Sequence, residues 1–178
     1  EQGAFSLVLD ETESILDSVL ADQSAQLANK DETPAKKWEN VKTKLLDIDT
    51  SKLHFVLVPE NHIVIDFDLK DINGTKSLER NLEAASTWPP TYAELSKSGS
   101  GVHLHYRFDG DCQELAREFA PGIEVKVFSG ASSLRRRLTK CNSISVATIS
   151  SGLPLKEKKD KMLTSRTIIS EKGLRDLI

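Results

Sequence analysis

With 178 residues, 38% of them hydrophobic and 29% charged, the chain is long enough to bury a core and has the composition of one globular domain. A formal net charge of −3 excludes a global attraction to nucleic acid, so any such binding must be local. Cys112 and Cys141, the two cysteines, are far apart and lack metal-ligand spacing. That argues against a zinc site or a disulfide framework and makes an intracellular compartment the default.

No run of 18 apolar residues and no signal-peptide pattern is present. The first residue is not Met and the end, 170-SEKGLRDLI-178, has the look of a cut helix, so the expectation is a piece of a longer protein.

In chain order, residues 10–29 place Ile15, Leu16, Val19, Leu20 and Leu27 at helical spacing behind an acidic first turn, which predicts a helix. The charged stretch 30–41, with Pro34, reads as a connector to a short helix around Trp38 to Leu46. Strands are predicted over 53–59 and 63–69, joined by the turn 59-PENH-62 into a hairpin. Residues 75–86 are helix formers, stopped by the prolines of 87-TWPPTY-92. A strand over 102–108, a short helix over 111–119, a strand over 122–128, a Ser/Ile/Val segment at 144–150 and a lysine-rich passage into a terminal helix complete the chain.

Strand side chains alternate between faces. Ile63, Ile65, Phe67 and Leu69 therefore oppose Asp66 and Asp68; Val102, Leu104, Tyr106 and Phe108 oppose His103, His105 and Arg107; Ile123, Val125 and Val127 oppose Glu124 and Lys126. The repetition predicts an α+β fold, an open-faced, mostly antiparallel sheet packed on helices through one face and wet on the other. Two aspartates inside an apolar strand are disfavoured and repel each other unless a cation lies between them. If the three strands are neighbours, Asp66, Asp68 and Glu124 form a cluster of hard oxygen ligands suited to two Mg²⁺ or Mn²⁺ ions, an arrangement used in phosphoryl and nucleotidyl transfer.

His103 would then contact a triphosphate or place the attacking group, with His105, Arg107 and Lys126 as further phosphate contacts. Ser98, Ser100 and Gly101, in 96-SKSGSGVHLHY-106, sit in a small-residue loop whose backbone N–H groups can approach an anion. Arg135, Arg136, Arg137 and Lys140 form the one dense basic run, placed to hold phosphates and nucleic acid. Singly, each motif also has an ordinary reading as a solvated sheet face, a hairpin loop or a solvated helix face. Their conjunction on successive strands favours a site.

These residues resemble the archaeo-eukaryotic primase superfamily, and more closely the primase-polymerase domains of phages and plasmids. The matching motifs are 64-VIDFD-68 for the metal-binding hDhD strand, 98-SGSGVHLHY-106 for the small-residue turn and histidine, and 122-GIEVK-126 for the strand with one acid after glycine. The resemblance spans about residues 53–150 and departs from the usual pattern at Glu124, where the family more often has Asp.

It implies an RRM-like sheet, with Asp66, Asp68 and Glu124 as metal ligands and His103 as the nucleotide-contacting histidine. Lys126 with Arg136 or Arg137 would lie near the phosphates. The implied activity is template-directed transfer of a nucleotide from an NTP or dNTP to a 3′-hydroxyl on a single-stranded DNA template. It would take place in the cytoplasm of a bacterial host, with a helicase module in the same or a partner chain. The expected organisation is a helical appendage over 1–50, a catalytic core over 51–155 and a C-terminal helical segment over 156–178. The rivals are a metal-dependent nuclease or phosphoesterase using the same carboxylates, and a non-catalytic single-strand-binding module.

Overall fold

The structure, a computed structural model, describes residues 7–129 and 132–157. Its elements in chain order are helix α1 (Ile15–Val19), strands β1 (Ala25–Leu27), β2 (His54–Val56) and β3 (His62–Phe67), helix α2 (Leu78–Ala85), and strands β4 (Tyr92–Leu95), β5 (Val102–Phe108), β6 (Glu118–Ala120), β7 (Ile123–Val127), β8 (Leu134–Arg136) and β9 (Ala147–Ile149). Together they make a mostly-β domain of two open sheets with two short helices, α+β only in a loose sense. Among the described residues no helix is long and apolar enough to cross a membrane.

The larger sheet runs β4-β5-β3-β7-β6, all antiparallel. β4 pairs with the first half of β5, while β9 pairs in parallel with Tyr106, Arg107 and Phe108 in its second half. One face carries Ile63, Ile65, Phe67, Val102, Leu104, Tyr106 and Val125, all buried, and Leu78, Leu82 and Ala85 of α2 close over it with Trp88. α2 starts where Ser77 accepts a hydrogen bond from Arg80 N, and it ends ahead of the two prolines.

The smaller sheet, β1-β2-β8, covers part of the opposite face. Its rows Ala25–Val56–Leu134 and Leu27–His54–Arg136 share one side of the sheet. Val56 and Leu134 pack there with Leu16, Leu20, Val64, Tyr92 and Phe128 into a second apolar cluster. The polar face of the large sheet is thus divided. The end bearing Val64, Tyr92 and His105 is buried, and the end bearing Asp66 and His103 borders a cavity.

Several sequence expectations change. The helix over 10–29 survives as one turn and a half, because Ser14 caps it, Leu16 and Leu20 bury its apolar side, and Ala25–Leu27 is drawn into pairing with β2. Val19 and Leu27, read as part of the apolar stripe, are about half and two-fifths exposed. The described part of the N-terminal segment, residues 7–50, is therefore the short α1, an edge strand and turns in place of a helical appendage, with 3-10 turns at Trp38–Asn40 and Leu45–Asp47 where a second helix is expected.

The predicted hairpin of 53–59 with 63–69 does not form. Both edges of β3 are taken by β5 and β7, and β2 joins the other sheet. Residues 111–119 make a 3-10 turn at Cys112–Glu114, capped by Asp111, followed by β6, in place of a helix. The expected terminal helix lies outside the described residues.

Candidate functional site

Strand register is what builds the site. Asp66 on β3 stands opposite His103 on β5 and opposite Glu124 on β7, His103 opposes Glu94 on β4, and Glu124 opposes Glu118 on β6. One row across five strands thus reads Glu94–His103–Asp66–Glu124–Glu118, with directly opposed Cβ atoms about 4.5–5.5 Å apart. Beside this row lies a cavity of about 270 Å³. Asp66, Asp68, His103 and Lys126 line its sheet wall; Ser96, Lys97, Ser98 and Gly101 line the β4–β5 loop wall; Arg135, Arg136 and Arg137 line the wall given by the small sheet.

Asp66 is the most engaged carboxylate. His103 Nε2 lies 3.2 Å from its Oδ1 and Lys126 Nζ lies 3.3 Å from its Oδ2. Burial pushes its pKa up, but the hydrogen bond from His103 and the positive charges of His103 and Lys126 more than offset that and hold it below the ordinary carboxylate value. Asp68 lies just past the end of β3, where its N–H donates to Gly122 O at 2.8 Å. Gly122 has φ +81°, and a Cβ there would meet Leu69 Cδ2 at 2.9 Å, so the glycine heading 122-GIEVK-126 is required by backbone shape and close approach.

The β4–β5 loop turns through Gly99, at φ +85°, and is tied by Gly99 N to Ser96 O and by Gly101 N to Ser96 Oγ, each 2.9 Å. Gly101 is tightly placed, since a Cβ would meet Phe67 O at 3.1 Å. Asn81, fully buried on α2, clamps this loop to the aspartate strand. Its Oδ1 accepts from Leu69 N at 2.7 Å and its Nδ2 donates to Ser100 O at 2.8 Å.

Some expected site residues lie elsewhere. His105 is fully buried, 2.9 Å from His62 through Nδ1, and burial holds its pKa well below the ordinary histidine value. It cannot reach a phosphate in the cavity. Arg107 is opposite His62 at the far end of β5, outside the cavity lining, and Lys140 is exposed and also outside it. Ser100 is bonded within the loop and to Asn81 and is not a lining residue.

Arg136 lines the cavity, yet it is spoken for. Its Nε and Nη2 contact Glu94 Oε2 at 2.7 and 2.6 Å, its Nη2 donates to Ser14 Oγ at 3.1 Å, and its Nη1 is 2.7 Å from Asp17 Oδ1. That last contact is close but off-line for a hydrogen bond, so it is Coulombic. Burial opposes the charge on Arg136, and Glu94 more than offsets it. Arg135 and Arg137, one position to either side, point away from this network and stay exposed. The basic run is therefore neither a helix nor a uniform phosphate surface.

The expected triad of carboxylates is aligned by the backbone and not yet by its side chains. Glu124 Oε1 leans toward Arg117 Nε at 3.6 Å, and Glu124 is not part of the cavity wall. Among the described residues no three His, Cys, Asp or Glu side chains are arranged to hold a metal. The donor chemistry nevertheless fits a hard cation, because Asp66 and Asp68 face the cavity with carboxylate oxygens and the Lys126 ammonium already stands against Asp66 as a cation would.

Sequence reading missed Glu94, Asn81 and Lys97. Glu94 had a signal in the alternation of 92-YAEL-95, a strand hidden behind the two prolines; a buried clamp such as Asn81 has none. In class, then, this is a mostly-β domain holding a polar cavity that pairs acidic residues on a sheet with cations around its rim. No protein-family model and no curated protein matches the chain.

Proposed function

We propose that this is a catalytic domain of the primase-polymerase type, transferring a nucleotide from an NTP or dNTP to a 3′-hydroxyl on a single-stranded DNA template. The observation that carries the reading is the register: the three segments resembling the motifs of that superfamily fall on β3, β5 and β7, adjacent at the centre of one sheet, with Asp66, His103 and Glu124 in a single row. An RRM-like core would consist of these strands with α2 on the apolar face.

Asp66 and Asp68, joined by Glu124 once it leaves Arg117, would hold Mg²⁺ or Mn²⁺. Two such ions, held by these carboxylates, would supply Lewis-acid polarisation of an attacking hydroxyl and charge stabilisation of a leaving pyrophosphate. His103 orients Asp66 through its Nε2 contact, and that N–H turns to a phosphate oxygen once Asp66 takes up a metal ion. Lys126 exchanges Asp66 for substrate phosphate as the triphosphate enters. Gly99 and Gly101 let the β4–β5 loop approach the triphosphate closely, and Asn81 keeps that loop in register with Asp68. Arg137 supplies charge at the rim, where the template would pass.

A stacking platform for bases is not what this sheet offers. Tyr106 and Phe108 are buried on the face under α2, and the cavity face shows carboxylates and an imidazole. The test is primer extension with template, nucleotides and Mn²⁺ or Mg²⁺, comparing the parent with Asp66→Ala. Growth of the strand with pyrophosphate release, lost in the variant, is expected. Equal extension by both proteins ends the proposal, and strand shortening in place of growth reassigns the same carboxylates to hydrolysis.

A further inference from the structure

Glu32 is the one non-glycine residue with positive φ among the described residues, at +66°, a conformation that costs any residue with a Cβ. It sits in a tight turn beyond β1, where Asn29 N bonds Thr33 O at 2.8 Å and Glu32 N bonds Asn29 O at 2.9 Å. From there its Oε1 accepts a hydrogen bond from Arg135 Nη2 on β8 and lies 3.4 Å from Lys97 Nζ on the β4–β5 loop. Those two cations are 38 residues apart in sequence, come from the β4–β5 loop and from β8, and both line the cavity. One carboxylate oxygen thus links two cations of the cavity lining, from a segment that is not itself part of that lining.

A lysine and an arginine converging on a single anionic oxygen make a receptor for a phosphate oxygen, and here a side chain of the protein holds that place. The cations are about two-fifths accessible, so an incoming anion can compete for them. We infer that Lys97 and Arg135 form a phosphate-binding pair at the mouth of the cavity and that Glu32 is its built-in competitor, displaced when phosphate binds. Assigning that phosphate to a nucleotide tail or to a strand backbone rests on the nucleotide-transfer reading of the cavity; the competition itself does not.

The experiment measures binding without turnover, on the full chain at low salt with no divalent ion. Two probes are used, inorganic tripolyphosphate by calorimetry and a labelled oligo(dT) by fluorescence anisotropy. Freeing two exposed cations from one carboxylate should tighten binding about three- to tenfold in Glu32→Gln. Glu32→Gly, which also relaxes the turn, should gain as much, and Lys97→Gln with Arg135→Gln in the Glu32→Gln background should remove the gain.

A gain with tripolyphosphate assigns the pair to a nucleotide's tail, and a gain with oligo(dT) alone assigns it to the strand backbone. Affinities within twofold of the parent for both probes overturn the inference, as does a gain that persists after Lys97 and Arg135 are replaced. Failure of the Asp66→Ala comparison would remove the polymerase reading and leave this result standing, so the two can be told apart.

Discussion

Arg136→Met removes a guanidinium whose side chain is 2% accessible and leaves Glu94, also 2% accessible, as an unpaired charge in the cavity wall. The lost contacts are two to Glu94, one to Ser14, a longer one from Nη1 to His54 Nε2 at 3.4 Å, and the Coulombic contact to Asp17. Tyr92, whose phenol burial and the Glu94 carboxylate keep protonated, would remain the donor to Glu94 at 2.5 Å, too little to compensate a buried charge. Asp17 is more exposed as a residue, but the Oδ1 that faces Arg136 is buried with no hydrogen-bond partner, so it too loses its compensating charge. Removing one member of a buried pair costs about 3–5 kcal/mol, which for a chain of this size lowers Tm by roughly 6–20 °C.

Urea or thermal denaturation of Arg136→Met, Glu94→Gln and the double variant measures both the cost and the coupling. The double variant should recover at least half of the loss, because it no longer buries an unpaired charge. Arg135→Gln, on the exposed side of the same strand, should stay within about 0.5 kcal/mol of the parent. An Arg136→Met protein within about 1 kcal/mol of the parent, or two single costs that simply add, would refute the assignment of Arg136 to the framework and return it to the ligand-facing cations.

Two further outcomes follow from buried polar groups. His62 and His105 are both held neutral, chiefly by burial, with His62 pushed down to about 4. The unfolded chain takes up protons first as pH falls below about 6.5, so stability present above that pH is lost toward pH 4, by about 3 kcal/mol for His62 with His105 acting in the same direction; flat urea midpoints between pH 7 and 4.5 would contradict this. Asn81→Ala should cost about 2–4 kcal/mol, because Leu69 N–H and Ser100 C=O both lose a buried partner. Amide exchange at Leu69 should quicken with it, and an unchanged exchange rate would show that the clamp does not hold the strand end.

The central strands were legible because each is long enough to show its alternation. β3, β5 and β7 carry apolar residues at every second position, and Ile63, Ile65, Phe67, Leu104 and Val125 are all buried as that period requires. The glycine before Glu124 and the glycine-serine loop before His103 could be read for the same reason, since backbone shape is a local property of the residue. Among the described residues five strands have only three residues, and of these β1, β6 and β8 were not legible, because so short a segment shows no period and its pairing depends on distant partners.

What the amino-acid order determined by itself was therefore the two-faced character of the central strands, the place of α2 after its serine cap, and the clustering of acids and imidazoles on one strand face. Only the tertiary structure decided what covers that face. The small sheet buries His105 and Val64, leaves Asp66 and His103 at a cavity, and turns Arg136 inward while Arg135 and Arg137 face out. Alternation states that two side chains lie on opposite sides of a strand, but which side meets protein and which meets water depends on a partner sheet contributed by residues 25–27, 54–56 and 134–136.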